Sequence, residues 1–467
     1  MAPKRKLKGH LTEENIKIPR DKVEDDTKAK SVSVSNASTS RKALLKQADY
    51  CCSLNADIVL SCGSNDAGQL GYDRPRCTKP RRIDDLPVGK KFRQIAAGAM
   101  HSVVLTNDGE VYSWGCQDDG ALGRLLSSDD DALLPDKMQF PDDMARIVGI
   151  SAGDCHTALL SDDGSVWATG CFKDENARKF LTDKLKASQT PVLLHRSSNR
   201  SNAVVKISSG CHHLVMLCAD GTVLTTGCGN VGQLGQFYVA SWERRRTHRT
   251  DENPAPVLMC APGHIRMAQM RGSPKRFGNA WASAYSTFLQ AADSNQIYAC
   301  GLNNYSQLGI VDKQQENNYS FAKLAPKFEL ANSSNGLFVG IVGEHHTITL
   351  TETGEIFSIG RGDDGRLGIG KDCDYVDIFC QVTLPEKLSA RSISANSAFG
   401  LCVSNDGRLF GWGYNSEAQL GLGPTDDCMV VLAPAEATSN HLAEHKVVAV
   451  STGGQHTLVA AEKISHY

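Results

Sequence analysis

Apolar residues in this chain fall in short runs, each closed by a glycine, and the runs return at a long and regular interval. Seven share the same ending: Ile58 to Gly63, Val111 to Gly115, Val166 to Gly170, Val223 to Gly227, Ile297 to Gly301, Ile356 to Gly360 and Leu409 to Gly413. All but the third are followed by a second signature, a small residue, one more residue and then Leu-Gly, as at Gly68 to Gly71 and Ser306 to Gly309. Runs this short and this rich in β-branched and aromatic residues predict strands rather than helices. The steps between the closing glycines, 52, 55, 57, 74, 59 and 53 residues, exceed any local helix or strand period. They suit a unit of four short strands with turns, the blade of a β-propeller, and the 74-residue step carries an insertion.

A second pattern alternates with the first and reads small-Gly-x-x-His followed by another short apolar run. It appears at Gly98 and His101, Gly153 and His156, Gly210 and His213, Gly343 and His346, and Gly453 and His456. In the two remaining copies Tyr285 and Phe399 stand for the histidine. Turns such as Asn107-Asp108-Gly109 and Asn405-Asp406-Gly407 follow, where the glycine allows the positive φ of a tight hairpin. Each blade therefore reads as two hairpins, and the fold class is all-β, a seven-bladed propeller. The first repeat opens on the glycine pattern and the last strand, from His456, supplies the histidine pattern. The two should share one blade, which pairs the terminal strands and removes an open sheet edge.

Composition changes this picture little. A chain of 467 residues exceeds the usual single core, but a radial repeat buries each blade only against its neighbours. Sixteen cysteines are scattered with no C-x-x-C pair, which points to reduced thiols in a cytosolic or nuclear protein rather than to disulfides, zinc or redox chemistry. The expectation is neither a secretory signal nor a membrane span. No phosphate-binding glycine loop is present and the abundant glycines fall at the repeat period, so bond-making chemistry, a metal and a cofactor are not expected.

The net charge is only −2, yet its distribution is uneven. Lys4, Arg5, Lys6 and Lys8 form a basic cluster at the front of a polar stretch that ends in Ser31 to Ser40. Residues 1–45 read as a disordered basic tail and 46–464 as the propeller. A basic cluster there suits a nuclear import receptor or phosphate contact.

The paired motifs resemble the repeat of the regulator-of-chromosome-condensation family, chromatin-bound exchange factors for the small GTPase Ran. The resemblance covers almost the whole chain and includes Ser151 to Leu159, Gly210 to Leu217, Gly301 to Gly309, Gly365 to Gly370 and Gly453 to Thr457. It implies that one propeller face grips Ran and that a short hairpin in the third blade wedges against its phosphate-binding region. The third repeat is the degenerate one, and Phe172, Lys173 and Asp174 match the start of the family's wedge, with Lys173 where arginine is usual. Asn176, Ala177, Arg178 and Lys179 are bulkier and more basic than the family's small, glycine-containing tip. Asp154 and His345 are the implied exchange residues. Asp66, His101, Asn304 and His456 keep the family's residue type at GTPase-gripping positions. His212, Gln236 and Ser306 depart from it, standing where the family has aspartate, arginine and histidine. Recurrence of His101 and His456 at one blade position also fits a structural hydrogen bond.

The other face should meet chromatin. The insertion carries Arg244, Arg245, Arg246 and Arg249, with Arg271, Lys275 and Arg276 further on. The resemblance implies contact of this region with the histone H2A/H2B surface and nucleosomal DNA, to which arginine is suited because its planar fork pairs with carboxylates and phosphates. It also implies nuclear localisation and methylation of the tail at Ala2-Pro3-Lys4 once Met1 is removed. Two other readings stay open: a propeller scaffold that binds chromatin or another GTPase without exchange activity, and an ultraviolet receptor built on clustered tryptophans. Only five tryptophans, in different repeats, make the last a poor fit.

Overall fold

The structure is a computed structural model that describes residues 43–236, 258–265, 274–310, 316–324, 337–424 and 429–464. Seven four-stranded antiparallel sheets succeed one another along the chain, and one two-stranded hairpin is added in the third. These are the blades of the propeller. In the second, the strands Phe92–Ala97, His101–Thr106, Val111–Gly115 and Asp136–Lys137 run from the centre outward. The second strand of six blades is buried along its whole length, as in His101–Thr106 and His346–Thr351, and that of the first blade is buried from His456 to Ala461, because neighbouring blades cover both faces of the sheet. That double burial is why the sequence shows apolar runs rather than alternation.

Among the described residues the apolar core divides into seven clusters, one per blade interface. Trp114, Val104 and Leu458 join the first and second blades, Met216, Leu160 and Phe172 the third and fourth, and Trp412, Cys402 and Ile348 the sixth and seventh. The first blade closes the ring. Ile58–Ser64 pairs antiparallel with His456–Lys463, Ile58 opposite Ala461 and Gly63 opposite His456.

The two sequence motifs are two sides of one contact. Gly63 and its six equivalents lie opposite the histidine position of the adjacent strand; at Gly63, where φ is +114°, a Cβ would stand 2.4 Å from the Gln455 carbonyl oxygen. The glycine of the histidine motif leaves room for the imidazole: a Cβ on Gly153 would lie 2.1 Å from Cε1 of His156. The histidines then bridge blades. His101 Nε2 meets Thr157 Oγ1 at 3.0 Å, and Thr157 donates onward to the Ala121 carbonyl. His213 and His456 repeat the relay with Thr287 and Ser102, so Nε2 carries the proton. Among the described residues His346 has no such partner, because the next blade offers Gly400 at that place.

Two boundaries shift. Ser286, not Tyr285, lies opposite Gly301 and holds the histidine position of the fifth blade, while Phe399 holds it in the seventh. The propeller body begins before residue 46. Leu45 donates its N–H to the Ala219 carbonyl, Gln47 reaches the carbonyls of Ser161 and Val204, and the Tyr50 hydroxyl donates to Gly278.

Candidate functional site

Antiparallel pairing puts the turn between the first and second strands at the same end as the loop after the third. At that end each turn presents the two residues between the motif glycine and the histidine position. Four blades use them for chemistry: Asp154 and Cys155, Cys211 and His212, Ala284 and Tyr285, Glu344 and His345. Backbone hydrogen bonds pass from turn to turn, Asp154 N–H to Cys211 O, Cys211 N–H to Ala284 O and Ala284 N–H to Gly343 O, all within 3.0 Å. The side chains thus stand on a fixed rim.

Asp154 Oδ2 lies 3.8 Å from His212 Nε2, with both side chains partly exposed. Burial lowers the His212 pKa and the neighbouring Asp154 opposes that shift. His345 Nε2 is 3.6 Å from Glu344 Oε1, and its ring is flanked by Tyr285 at 5.6 Å and by the edge of Tyr305 at 6.0 Å. Burial and the nearby Arg361 and Arg366 keep His345 below the usual imidazole range. Burial, reinforced by Asp154, raises Glu344. The rim therefore offers acceptors and neutral imidazoles at pH 7. Among the described residues no group of His, Cys, Asp and Glu is arranged to hold a metal ion.

The extra hairpin of the third blade rises at this end. Phe172 pairs with Phe180 and Lys173 with Lys179. Phe172 is fully buried against His156, 4.6 Å between ring centroids. Asp174 is also buried, and its carboxylate accepts from the backbone N–H groups of Asn176 and Arg178 and from Arg178 Nε. The exposed part is the tip, Glu175 to Lys179.

A family model described as the RCC1-like domain matches residues 58–459. The chain belongs to this family. It is 36% identical over 410 residues to the human regulator of chromosome condensation, covering 86% of this chain and 90% of that protein. It is 27% identical to the guanine nucleotide exchange factor SRM1 of Saccharomyces cerevisiae, with 83% of each covered. Yeast RCC1 (Prp20) bound to Kap60 superposes with a TM-score of 0.77 at 25% identity, covering 95% of this chain and 97% of that one. A second Prp20 structure, described with its binding properties to Gsp1p and histones, gives 0.76 at 24%, covering 91% and 96%.

Within this RCC1-like propeller the expected Ran-gripping residues separate into two groups. Asp66, Asp154, Lys173, His212, Asn304, Ser306 and His345 are exposed or partly exposed at the site end. His101 and His456 are buried in the blade-to-blade relay, so the structural reading holds for them and their side chains present no surface to a partner. Gln236 is buried too, donating to the carbonyls of Thr225 and Gly263, and Phe172 and Asp174 act inside the hairpin. Lys275 is exposed near the opposite end, while Arg276 donates to the carbonyls of Asp220 and Ala43. Lys4, Arg5, Lys6, Lys8, Arg244, Arg245, Arg246, Arg249 and Arg271 lie outside the described residues. Trp114, Trp167, Trp281 and Trp412 are buried in separate interfaces, which leaves no tryptophan cluster among the described residues for a light sensor.

Sequence reasoning missed three contributors. Tyr285 and Tyr305 cradle His345, and Asp119 pairs with Lys173 at 2.7 Å. Tyr285 had a signal: it occupies the same turn place as His212 and His345 once the register is read correctly.

Proposed function

We propose that this chain is a guanine-nucleotide exchange factor for Ran that works on chromatin in the nucleus and so serves nucleocytoplasmic transport, spindle assembly and mitosis. The observation that carries the reading is the joint placement of Asp154, His212, His345 and a projecting hairpin on one rim of an RCC1-like propeller. The relationship to the yeast exchange factor SRM1 supports it.

Exchange requires no bond-making. A protein that binds the nucleotide-free GTPase more tightly than the loaded one weakens nucleotide binding by the same factor. Rim carboxylates suit the GTPase lysines and loops that otherwise hold phosphate and Mg²⁺, and the cationic hairpin tip suits a wedge beside them. Cellular GTP excess then sets the direction. Titration of nucleotide-free and GDP-loaded Ran against the purified protein tests this: the nucleotide-free form should bind at least a hundredfold more tightly, about 2.7 kcal/mol. Equal affinities would remove the driving force.

Histones H2A/H2B, nucleosomal DNA and an import receptor are the further partners we propose. The binding of Prp20 to histones and its complex with Kap60 support this reading. A second reading, a scaffold without exchange activity, draws on one observation: His212 engages Asp154 where the resemblance implies a second anion. Tight but nucleotide-insensitive Ran or nucleosome binding would favour it.

A further inference from the structure

We propose that Asp119 is a positioning residue of the exchange reaction, a single carboxylate from the second blade that clamps both strands of the third-blade hairpin in its working pose. The proposal rests on the exchange reading above. The hairpin has only two ladder pairs, Phe172 with Phe180 and Lys173 with Lys179. A ribbon that short does not hold itself. Its second pair also sets two lysines opposite each other, an arrangement that repels.

Asp119 turns that repulsion into a clamp. Its Oδ2 lies 2.7 Å from Lys173 Nζ and its Oδ1 2.8 Å from Lys179 Nζ, so each strand is held by a separate oxygen. Lys179 Nζ also reaches the Asp118 carbonyl at 3.5 Å. The Asp119 side chain is 13% exposed, which shields both contacts from solvent. Burial pushes its carboxyl up, but the ammonium groups of Lys173 and Lys179 outweigh it and hold the group well below the usual range. Beneath the clamp, Phe172 and Phe180 pack at 5.9 Å between ring centroids. Above it, Asp174 folds the tip. The clamp thus ties this hairpin to the second blade at the junction of aromatic base and exposed tip. His212 feels both Lys173 and Asp119, which makes the clamp continuous with the Asp154 rim.

A wedge acts only while it stands in the place where the GTPase arrives. Loosening its base should therefore lower the rate at saturation while leaving the encounter, carried by Asp154 and His345, nearly intact. The test is steady-state release of fluorescent GDP from Ran by the full chain as wild type, Asp119→Asn and Asp119→Glu, with hydrogen exchange of residues 172–180 followed in parallel. Asp119→Asn should lower kcat about ten- to a hundredfold with KM changed less than about threefold. It should speed hydrogen exchange in the hairpin without shifting the global unfolding midpoint. Asp119→Glu, which keeps the anion, should recover part of both. An Asp119→Asn protein with wild-type kcat and hairpin protection overturns the clamp, as does a rise in KM alone, which would make Asp119 a direct contact. A wild type that leaves Ran loaded overturns the exchange reading instead, and unaltered hairpin protection in Asp119→Asn then overturns the clamp on its own.

Discussion

Acid should open this propeller well before its carboxylates protonate, because five imidazoles are buried without charge. Burial lowers His101 to about 4 and His213, His346 and His456 to about 3, and puts His156 well below its ordinary value. In the unfolded chain each imidazole titrates near pH 6.5. Between that value and the folded one the unfolded state binds more protons, so this stability is fully present above about pH 7 and is lost as pH falls. Lowering pH from 7.5 to 5.5 costs about 1.4 kcal/mol per histidine and about 7 kcal/mol for five. That is comparable with the whole stability of a typical domain, about 5–15 kcal/mol. Ion-paired carboxylates such as Asp108 and Glu110, held to about 2, act only at lower pH. Urea unfolding read by the fluorescence of buried Trp114 and Trp412 at the two pH values measures the loss. His346→Leu supplies the control, since neither ring nitrogen of His346 has a partner among the described residues. It should cost little at pH 7.5 and remove about one-fifth of the pH dependence. Equal urea midpoints at pH 7.5 and 5.5, or an undiminished slope in His346→Leu, would refute the reasoning.

Other consequences follow from single contacts. Asp154→Ala and His345→Ala should each slow exchange on Ran about ten- to a hundredfold, the loss of one charged hydrogen bond, with unchanged thermal midpoints. Gly153→Ala drives a methyl to 2.1 Å from His156 and 2.5 Å from the Gly210 carbonyl, so calorimetry should show a loss of about 1–3 kcal/mol. Ala177 adopts φ 57° at the hairpin tip, and Ala177→Gly should relieve about 1 kcal/mol there, seen as slower hydrogen exchange of residues 172–180.

The blades were legible because each repeat carries both halves of a single contact, the glycine of the third strand and the glycine-histidine pair that packs on it. The same density of signal misled at Tyr285, where an aromatic ring looks more like a substitute for histidine than the neighbouring Ser286 does. His101 and His456 were readable as recurrent, but recurrence alone does not separate a buried relay from an exposed grip; only the glycine beneath each ring and the hydroxyl across the interface do. Gln236 and Asp174 look like surface residues by type and are buried because backbone carbonyls and N–H groups meet them. Asp119 was invisible for a different reason. Its partners lie 54 and 60 positions away in another blade, and nothing in the local pattern of Gln117 to Gly120 reports a contact across that gap.

The central claim is that this propeller ejects nucleotide from Ran. The most direct measurement mixes the full chain with Ran carrying fluorescent GDP, adds excess GTP and follows release, beside an unrelated small GTPase. The account predicts fast release from Ran alone, saturable in Ran and first order in the propeller. Release at the spontaneous rate, from a protein shown to be folded, would contradict it.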